Sequence, residues 1–280
     1  MTKIAFINSR YKNFNDATIH IEDRGFQFAD SVYEVISFFN ENLIDLKLHF
    51  LRLRYSLNEL DIQYNFTDEK LTKIFWKLIR FNSLKSGIIY LQITRGVQPR
   101  SHAYKHKIKP TVVIYTQKKT FNIPGNKFTG VNVITHEDLR WSRKDIKTVN
   151  LLPNILIENL AHKKNAYTAI LIKNNKITEG NHSNIWIVKN NNIFTHPINI
   201  DILKGVTRTT LISIIKKCGF KLIEKNFTKK QLYNSDEIFL TSSTGLITPI
   251  LKVDSKLINK GKIGNITIQL AILYFKLILK

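Results

Sequence analysis

Arg140-Trp141-Ser142-Arg143-Lys144-Asp145-Ile146-Lys147-Thr148-Val149-Asn150-Leu151-Leu152-Pro153-Asn154 lies near the middle of a 280-residue chain. It follows an apolar run at residues 131–135 that reads as a strand, and it ends at Pro153, a residue suited to a first helical turn. Lys147 is its candidate reactive group. A lysine attacks carbonyl carbon when its surroundings lower its pKa. A lysine alone carries little information in a chain with 43 Lys and Arg, where most such residues are solvated surface charges. What distinguishes Lys147 is its company elsewhere in the chain: a carboxylate at Glu179, two hydroxyl-rich loops, and the pair Arg100 and His102.

The length predicts about two domains with chain enough for a buried core. Hydrophobic residues make up 43% and aromatics 11%, as in ordinary globular proteins. One cysteine, Cys218, excludes an internal disulfide framework; its place before Gly219, at an expected helix end, fits a small core residue. Met1-Thr2-Lys3-Ile4-Ala5-Phe6 lacks an apolar run with a cleavage site, so no signal peptide is expected. Residues 266–276 are too few and too polar to span a bilayer. Ile266, Leu270, Leu273 and Leu277 recur at helical spacing there, which predicts a docked amphipathic helix. A cytoplasmic location is expected, with no membrane partner. The net charge of +22 would suit a nucleic-acid binder. The lysines are scattered through every segment, however, and Ile, Lys and Asn are enriched together, so compositional bias explains the charge and no nucleic-acid partner is expected.

Working outward, the first part of the chain mixes strands (residues 4–7, 18–21 and 32–39) with a hairpin turn at Asn40-Glu41-Asn42 leading into 43–46. From Lys47 the period becomes helical, with Phe50, Leu53, Leu57 and Leu60 on one face. Thr67-Asp68-Glu69 opens a second helix, with Leu71, Ile74, Phe75 and Leu78 on its apolar side. Buried strands follow at 88–94 and 111–115. The polar run 116–130, with Pro124, Gly125 and Gly130, is the linker. Beyond it come the strand at 131–135, a helix over 153–165, strands at 168–172, 185–188 and 193–195, a helix over 207–218 with Leu211, Ile214, Ile215 and Cys218 inward, and a strand at 237–240. The class is α+β in two domains, a smaller one at 1–120 and a larger one at 121–280 that contains Lys147.

Several fragments carry candidate chemistry. Lys204-Gly205-Val206-Thr207-Arg208 opens a helix, whose unpaired amides and positive partial charge suit a phosphate; the alternative is a plain Thr N-cap beside a loop glycine. Thr241-Ser242-Ser243-Thr244-Gly245 is a second hydroxyl-rich loop at a strand end. Arg52 would complete an anion cradle with charge-assisted hydrogen bonds, or else form a surface ion pair with a residue such as Glu59. Glu179-Gly180 is either a turn or a carboxylate that keeps a pyridine nitrogen protonated, since a close anion favours the charged form of its partner. In Arg95-Gly96-Val97-Gln98-Pro99-Arg100-Ser101-His102, Arg100 and His102 either grip a carboxylate or face solvent. No metal-ligating set stands out.

Taken together, Asp23-Arg24-Gly25-Phe26-Gln27-Phe28-Ala29-Asp30-Ser31-Val32-Tyr33-Glu34, Asp145-Ile146-Lys147-Thr148-Val149-Asn150-Leu151-Leu152, Thr178-Glu179-Gly180, Ser183-Asn184 and Leu203-Lys204-Gly205-Val206-Thr207-Arg208 resemble the fold-type IV pyridoxal-phosphate aminotransferases, in order and over essentially the whole chain. Thr94-Arg95-Gly96, Pro99-Arg100 and His102, with Tyr33, are similar to the carboxylate trap of the D-amino acid aminotransferases, which branched-chain aminotransferases and aminodeoxychorismate lyases lack. The resemblance implies an active site between the two domains and pyridoxal 5'-phosphate as cofactor. Lys147 matches the lysine that joins the cofactor, Glu179 the partner of its ring nitrogen, and Leu203 the residue packed on its ring. Arg52, Val206, Thr207, Ser242 and Ser243 match its phosphate ligands. Tyr33, Arg100 and His102 match the substrate-carboxylate residues. The resemblance also implies a homodimer in which Arg100 and His102 serve the neighbouring subunit's site. Ala29 and Ser31 stand where glycine is common, and Asn181-His182 where the D-enzymes often carry serines.

The implied activity is ping-pong transfer of the amino group of D-amino acids, of the D-alanine and D-glutamate type, to 2-oxo acids such as 2-oxoglutarate. A branched-chain L-aminotransferase is the nearest alternative and an aminodeoxychorismate lyase a further one. From outside the enzymes, the rival is a nucleic-acid binder whose affinity would fall steeply with salt.

Overall fold

The computed structural model describes residues 3–105, 107–125 and 128–278. The chain forms two compact units, one built from the chain up to Thr120 together with Ile146–Asn150, the other from Phe121–Asp145 and from Leu151 onward. Lys147 follows the join at residue 120 in sequence, yet its short stretch packs with the first unit.

In the first unit, β1 (Ile4–Ile7) and β2 (Arg10–Asn13) form a hairpin, followed by α1 (Arg24–Phe28), β3 (Ser31–Phe39), β4 (Asn42–Leu43), α2 (Leu46–Glu59), α3 (Asp68–Phe81), β5 (Ser86–Thr94) and β6 (Thr111–Lys118). The sheet runs β2-β1-β6-β5-β3-β4, antiparallel throughout. Period-2 alternation puts Val32, Ile36 and Phe38 of β3 in the core with Phe50, Leu53 and Leu57 of α2 and Leu71, Phe75 and Leu78 of α3. The Thr67 side chain accepts from the Lys70 amide, and Asp68 and Glu69 occupy the first turn of α3, where their charge complements the helix dipole. Residues 18–21, expected as a strand, form none; Ile19 and Ile21 are exposed. Strand β2 takes that place because Asn8 and Ser9, at φ 45° and 73°, turn the chain straight back on β1. Its sequence, Arg-Tyr-Lys-Asn, is too polar to read as a strand, which is ordinary at a sheet edge.

The second unit contains β7 (Val131–Glu137), α4 (Leu152–Lys163), β8 (Thr168–Lys173), β9 (Lys176–Gly180), β10 (Asn184–Lys189), β11 (Asn192–Thr195), α5 (Val206–Lys217), β12 (Leu222–Glu224), α6 (Lys229–Tyr233), β13 (Glu237–Ser242), β14 (Leu246–Val253), β15 (Lys256–Leu257) and α7 (Asn265–Ile278). Its mixed sheet runs β12-β11-β10-β13-β14-β7-β8-β9, with β15 beside β14. Asn174-Asn175 and Asn190-Asn191 all have positive φ, the conformation that two-residue hairpins need and that asparagine tolerates. Cys218, expected in the core, is exposed at the end of α5. Helix α7 buries Thr267, Leu270, Ala271, Tyr274, Phe275 and Ile278, a face rotated from the expected one, and leaves Leu277 half-exposed. The Glu237 carboxylate fixes that rotation by accepting the Ile266 and Thr267 amides at 3.0 and 2.8 Å. No described helix is long and apolar enough to cross a membrane.

Ala29 ends α1 in the left-handed region (φ 55°, ψ 23°), a conformation that favours glycine. Ala29→Gly should therefore raise the stability of the first unit by about 0.5–1 kcal/mol in urea unfolding, the relief of strain outweighing the added chain entropy.

Candidate active site

Strand β3 is paired along its whole length with β5, but β4 covers only Phe38 and Phe39 on its other edge. The Ile146–Asn150 stretch bonds the first three residues of β3. The Tyr33 amide donates to the Lys147 carbonyl at 3.0 Å, the Val149 amide to the Ser31 carbonyl at 3.3 Å, and Val32 bridges Thr148. The Lys147 amide donates to Ser56 Oγ at 3.1 Å, on α2. These bonds fix the Lys147 backbone, and its half-buried side chain sets Nζ 4.2 Å from the Tyr33 ring centroid. Tyr33 stacks on Tyr90, and Tyr90 on Tyr115, a row across the sheet that holds the ring in place.

Alternation along β3 turns Glu34 to the opposite face, into the core against α2. There Arg52 Nε and Nη2 donate to its two oxygens at 2.8 and 2.7 Å, and His49 Nδ1 lies 2.7 Å from Oε2. His49 and Arg52 are three residues apart on a helix and so share a face. Burial raises the Glu34 pKa, but Arg52 and then His49 overcome it and hold the carboxyl at about 2. Burial lowers the His49 pKa. Arg52 is thus a buried, oriented cation held by Glu34.

In the second unit, Glu179 sits at the end of β9 and is 3% exposed. Its Oε1 accepts from Arg140 Nη1 at 2.6 Å; its Oε2 accepts from the Leu203 amide and from Asn184 Nδ2, both at 3.1 Å. Arg140 is held in turn by Asp138, which takes its Nε and Nη2 and the Thr178 hydroxyl. Burial pushes the Glu179 carboxyl up from its ordinary 4.5, with Arg140 and the Leu203 amide pulling it back. Burial opposes the charge of Arg140, but Glu179 and Asp138 outweigh it and hold its pKa above the usual value. Arg140 was part of the stretch that drew attention in the sequence, and its role was missed there. The available signal was that a buried carboxylate needs a cation, but nothing in the sequence says which of many cations meets Glu179.

Helix α5 begins at Val206 after an N-cap Gly205 with no side-chain cap, so the first-turn amides at Val206 and Thr207 are not taken by a capping side chain. The helix starts one residue before the expected Thr207. A Cβ on Gly205 would lie 2.0 Å from Asn184 Oδ1, so only glycine lets Asn184 reach both Glu179 and the Leu203 carbonyl (3.0 Å). Ser242 ends β13 and its hydroxyl accepts from the Gly245 amide at 2.9 Å; Ser243 follows, half-buried. Asn181, at the position noted as often serine, is buried and donates to the Asn154 carbonyl and to Glu158, tying the end of β9 to α4.

Arg100 and His102 are exposed on the loop after β5 and meet on one ring: Arg100 Cζ lies 4.6 Å from the Phe28 centroid, and the His102 ring 5.6 Å away. The structure therefore groups Lys147 with Tyr33, groups Glu179 with Leu203, and places Val206 and Thr207 in an uncapped first turn. These features fit pyridoxal phosphate: a held amine, a buried carboxylate for a ring nitrogen, and a helix start whose first-turn amides no side chain caps. No cluster of His, Cys, Asp or Glu able to hold a metal occurs among the described residues.

The profile of the family described as Amino-transferase class IV matches residues 31–253. D-alanine aminotransferases are similar along the chain: that of Staphylococcus aureus (strain N315) is 39% identical over 272 residues, covering 96% of this chain and 95% of that protein. The protein from Bacillus licheniformis is 38% identical over 271 residues, covering 95% and 93%. Among solved structures, the branched-chain aminotransferase of Thermoproteus uzoniensis with norvaline superposes with a TM-score of 0.88 at 26% identity, covering 100% of this chain and 95% of that one. The branched-chain amino acid aminotransferase of Escherichia coli gives 0.90 at 22%, covering 99% and 95%.

Glu34→Gln leaves Arg52 buried without its anion and should cost about 3–4 kcal/mol at pH 7. Because the folded-state pKa lies below the unfolded one, this stabilisation is full above pH 4.5 and fades as pH falls toward 2. Urea titrations of wild type and variant should thus show a gap that is constant above pH 5 and narrows below 4; a gap that widens on acidification would contradict the assignment.

Proposed function

This chain belongs to the class IV aminotransferases, enzymes that use pyridoxal 5'-phosphate, and on that footing we propose that it transfers the amino group of D-amino acids, of the D-alanine and D-glutamate type, to 2-oxo acids such as 2-oxoglutarate. The observation that carries this reading is the 38–39% identity to D-alanine aminotransferases over almost the full length of both chains. Arg100 and His102, brought together on Phe28 with side chains in solvent, support it as a carboxylate-binding pair. The second reading, a branched-chain L-aminotransferase, has the fold likeness in its favour, with TM-scores near 0.9.

When bound, the cofactor supplies an electrophilic carbon for the incoming amine and a ring that withdraws electrons. The protein's own residues do the rest. Lys147 would hold the cofactor covalently at rest; its Nζ, once free, would take the Cα proton as base and, as acid, deliver it to the cofactor carbon instead of back to Cα. Tyr33 beside Lys147 keeps Nζ directed. Glu179, fixed by Arg140, Asn184 and the Leu203 amide, keeps the ring nitrogen's proton in place, since a buried carboxylate favours a cation opposite it. Leu203 would pack on the ring. The Val206 and Thr207 amides, the Ser242 and Ser243 hydroxyls and Arg52, oriented by Glu34, would take the phosphate. Tyr33, Arg100 and His102 take the substrate carboxylate, and the side of the ring from which Lys147 works then sets which enantiomer loses its proton.

Arg100 and His102 are assigned to the site of a neighbouring subunit, which makes a homodimer the working form. Helix α4 supports this: Leu152, Ile155 and Leu156 are 66%, 54% and 63% exposed, an apolar face that a second copy would cover. Sedimentation should give twice the 32.6 kDa chain mass; a monomer that is fully active would remove the dimer from the scheme.

Purified protein should be yellow and bleach with borohydride, and with 2-oxoglutarate it should turn D-alanine into pyruvate. Arg100→Leu should lower D-alanine turnover at least tenfold with the colour retained. Activity with L-leucine alone would overturn the D-specific reading in favour of the branched-chain one.

A further inference from the structure

We propose that Arg24 and Phe28 are positioning residues for substrate-carboxylate capture, Arg24 holding the main chain of the Arg100/His102 loop and Phe28 holding the Arg100 and His102 side chains. The inference rests on the reading of Arg100 and His102 as carboxylate ligands. Arg24 is 4% exposed, and every arm of its guanidinium is used: Nε donates to Asp30 Oδ2 at 2.7 Å, Nη1 to the Ser101 carbonyl at 2.6 Å and Nη2 to the His102 carbonyl at 3.1 Å. The planar fork thus spans the two peptides that flank His102, a geometry that a lysine ammonium cannot reproduce. Asp30 also takes Arg95 Nε at 2.8 Å, and Arg95 donates onward to the Leu60 and Asp61 carbonyls, so the anchor is tied to the end of α2. At the base of the loop, the Arg24 amide donates to the Gly96 carbonyl at 2.9 Å. Within it, Gln98 bonds the Ala103 carbonyl and the Lys105 amide.

Phe28 is half-buried, with its ring between cations: Arg24 Cζ is 4.9 Å and Arg100 Cζ 4.6 Å from the centroid, with the His102 ring 5.6 Å away. Arg24 has its charge balanced by Asp30. Arg100 and His102 have no ion pair among the described residues; the ring holds the Arg100 guanidinium by cation–π attraction, its charge staying available to an anion, and holds the His102 ring by a tilted aromatic contact. A carboxylate partner on the protein would have held Arg100 as firmly but would have competed with substrate. An aromatic ring positions the guanidinium without taking up its hydrogen-bond donors.

The test is a double-mutant cycle on holoenzyme, with D-alanine and 2-oxoglutarate as substrates. Phe28→Leu should raise KM for D-alanine about fivefold and Arg24→Lys about tenfold, with kcat changed less than KM and cofactor absorbance unaltered. Phe28→Tyr, which keeps the ring face, should return KM to within about twofold of wild type. In the Arg100→Leu background, Phe28→Leu should add less than twofold, because the guanidinium it steadies is gone and only its contact with the His102 ring is left to lose. If Arg24→Lys loses the cofactor colour, the Phe28 series decides. If Arg100→Leu leaves KM for D-alanine unchanged, the carboxylate reading of the loop fails and this inference with it. If Arg100→Leu raises KM but Phe28→Leu does not, or Phe28→Leu keeps its full effect in that background, the positioning role alone is overturned.

Discussion

An open sheet edge must have its amides and carbonyls paired. In the first unit β4 is too short to cover β3, and the first residues of the strand, Ser31–Tyr33, are bonded by residues 147–149. That single demand places Lys147. Its carbonyl and amide are both fixed, by Tyr33 and Ser56, so the side chain leaves from a backbone that cannot drift, and Tyr33 bounds it on the way out. A reactive amine is worth little unless it is held, since catalysis by proton transfer depends on geometry first and pKa second. The same strand supplies, on alternate faces, the aromatic neighbour of the lysine and the buried carboxylate that orients Arg52.

Each unit also buries a carboxylate with a guanidinium, and the two pairs do different things. Glu34 takes Arg52 in a two-pronged grip with His49 beside it, and its pKa falls: the cation dominates. Glu179 takes one arm of Arg140, whose other two nitrogens go to Asp138, and its pKa rises: burial dominates. The first arrangement spends its donors on neutralising the anion and freezes an arginine. The second leaves a buried carboxylate incompletely compensated, which is the condition under which a further cation opposite it gains most. Asn184 links this carboxylate to the start of α5, and Gly205 is what makes that approach sterically possible.

The three groups on the Phe28 ring extend this pattern to the loop after β5. Arg24 holds main chain there, while the Arg100 guanidinium lies over an aromatic face that takes none of its donors.

Much of this was legible in sequence because it is local. Helices α2 and α3 announce themselves by a 3.6-residue apolar period and, for α3, by Thr67-Asp68-Glu69; the hairpins at Asn174-Asn175 and Asn190-Asn191 by residues that accept positive φ. The candidate residues Lys147, Glu179, Val206 and Thr207 stood out by motif, and the resemblance drawn from those motifs named the family that the comparisons show. What sequence left undetermined depends on partners far away in the chain. The polar β2 is a strand because β1 offers it an edge; residues 18–21 are not, because nothing does. The rotation of α7 was set by Glu237, and the fates of Arg52 and Arg140 by carboxylates 18 and 39 positions away. Residue type and spacing determined which chemistry the chain could carry; only the folded backbone decided which charges meet, because burial makes an unpaired charge too costly to leave and the nearest partner in space is not the nearest in sequence.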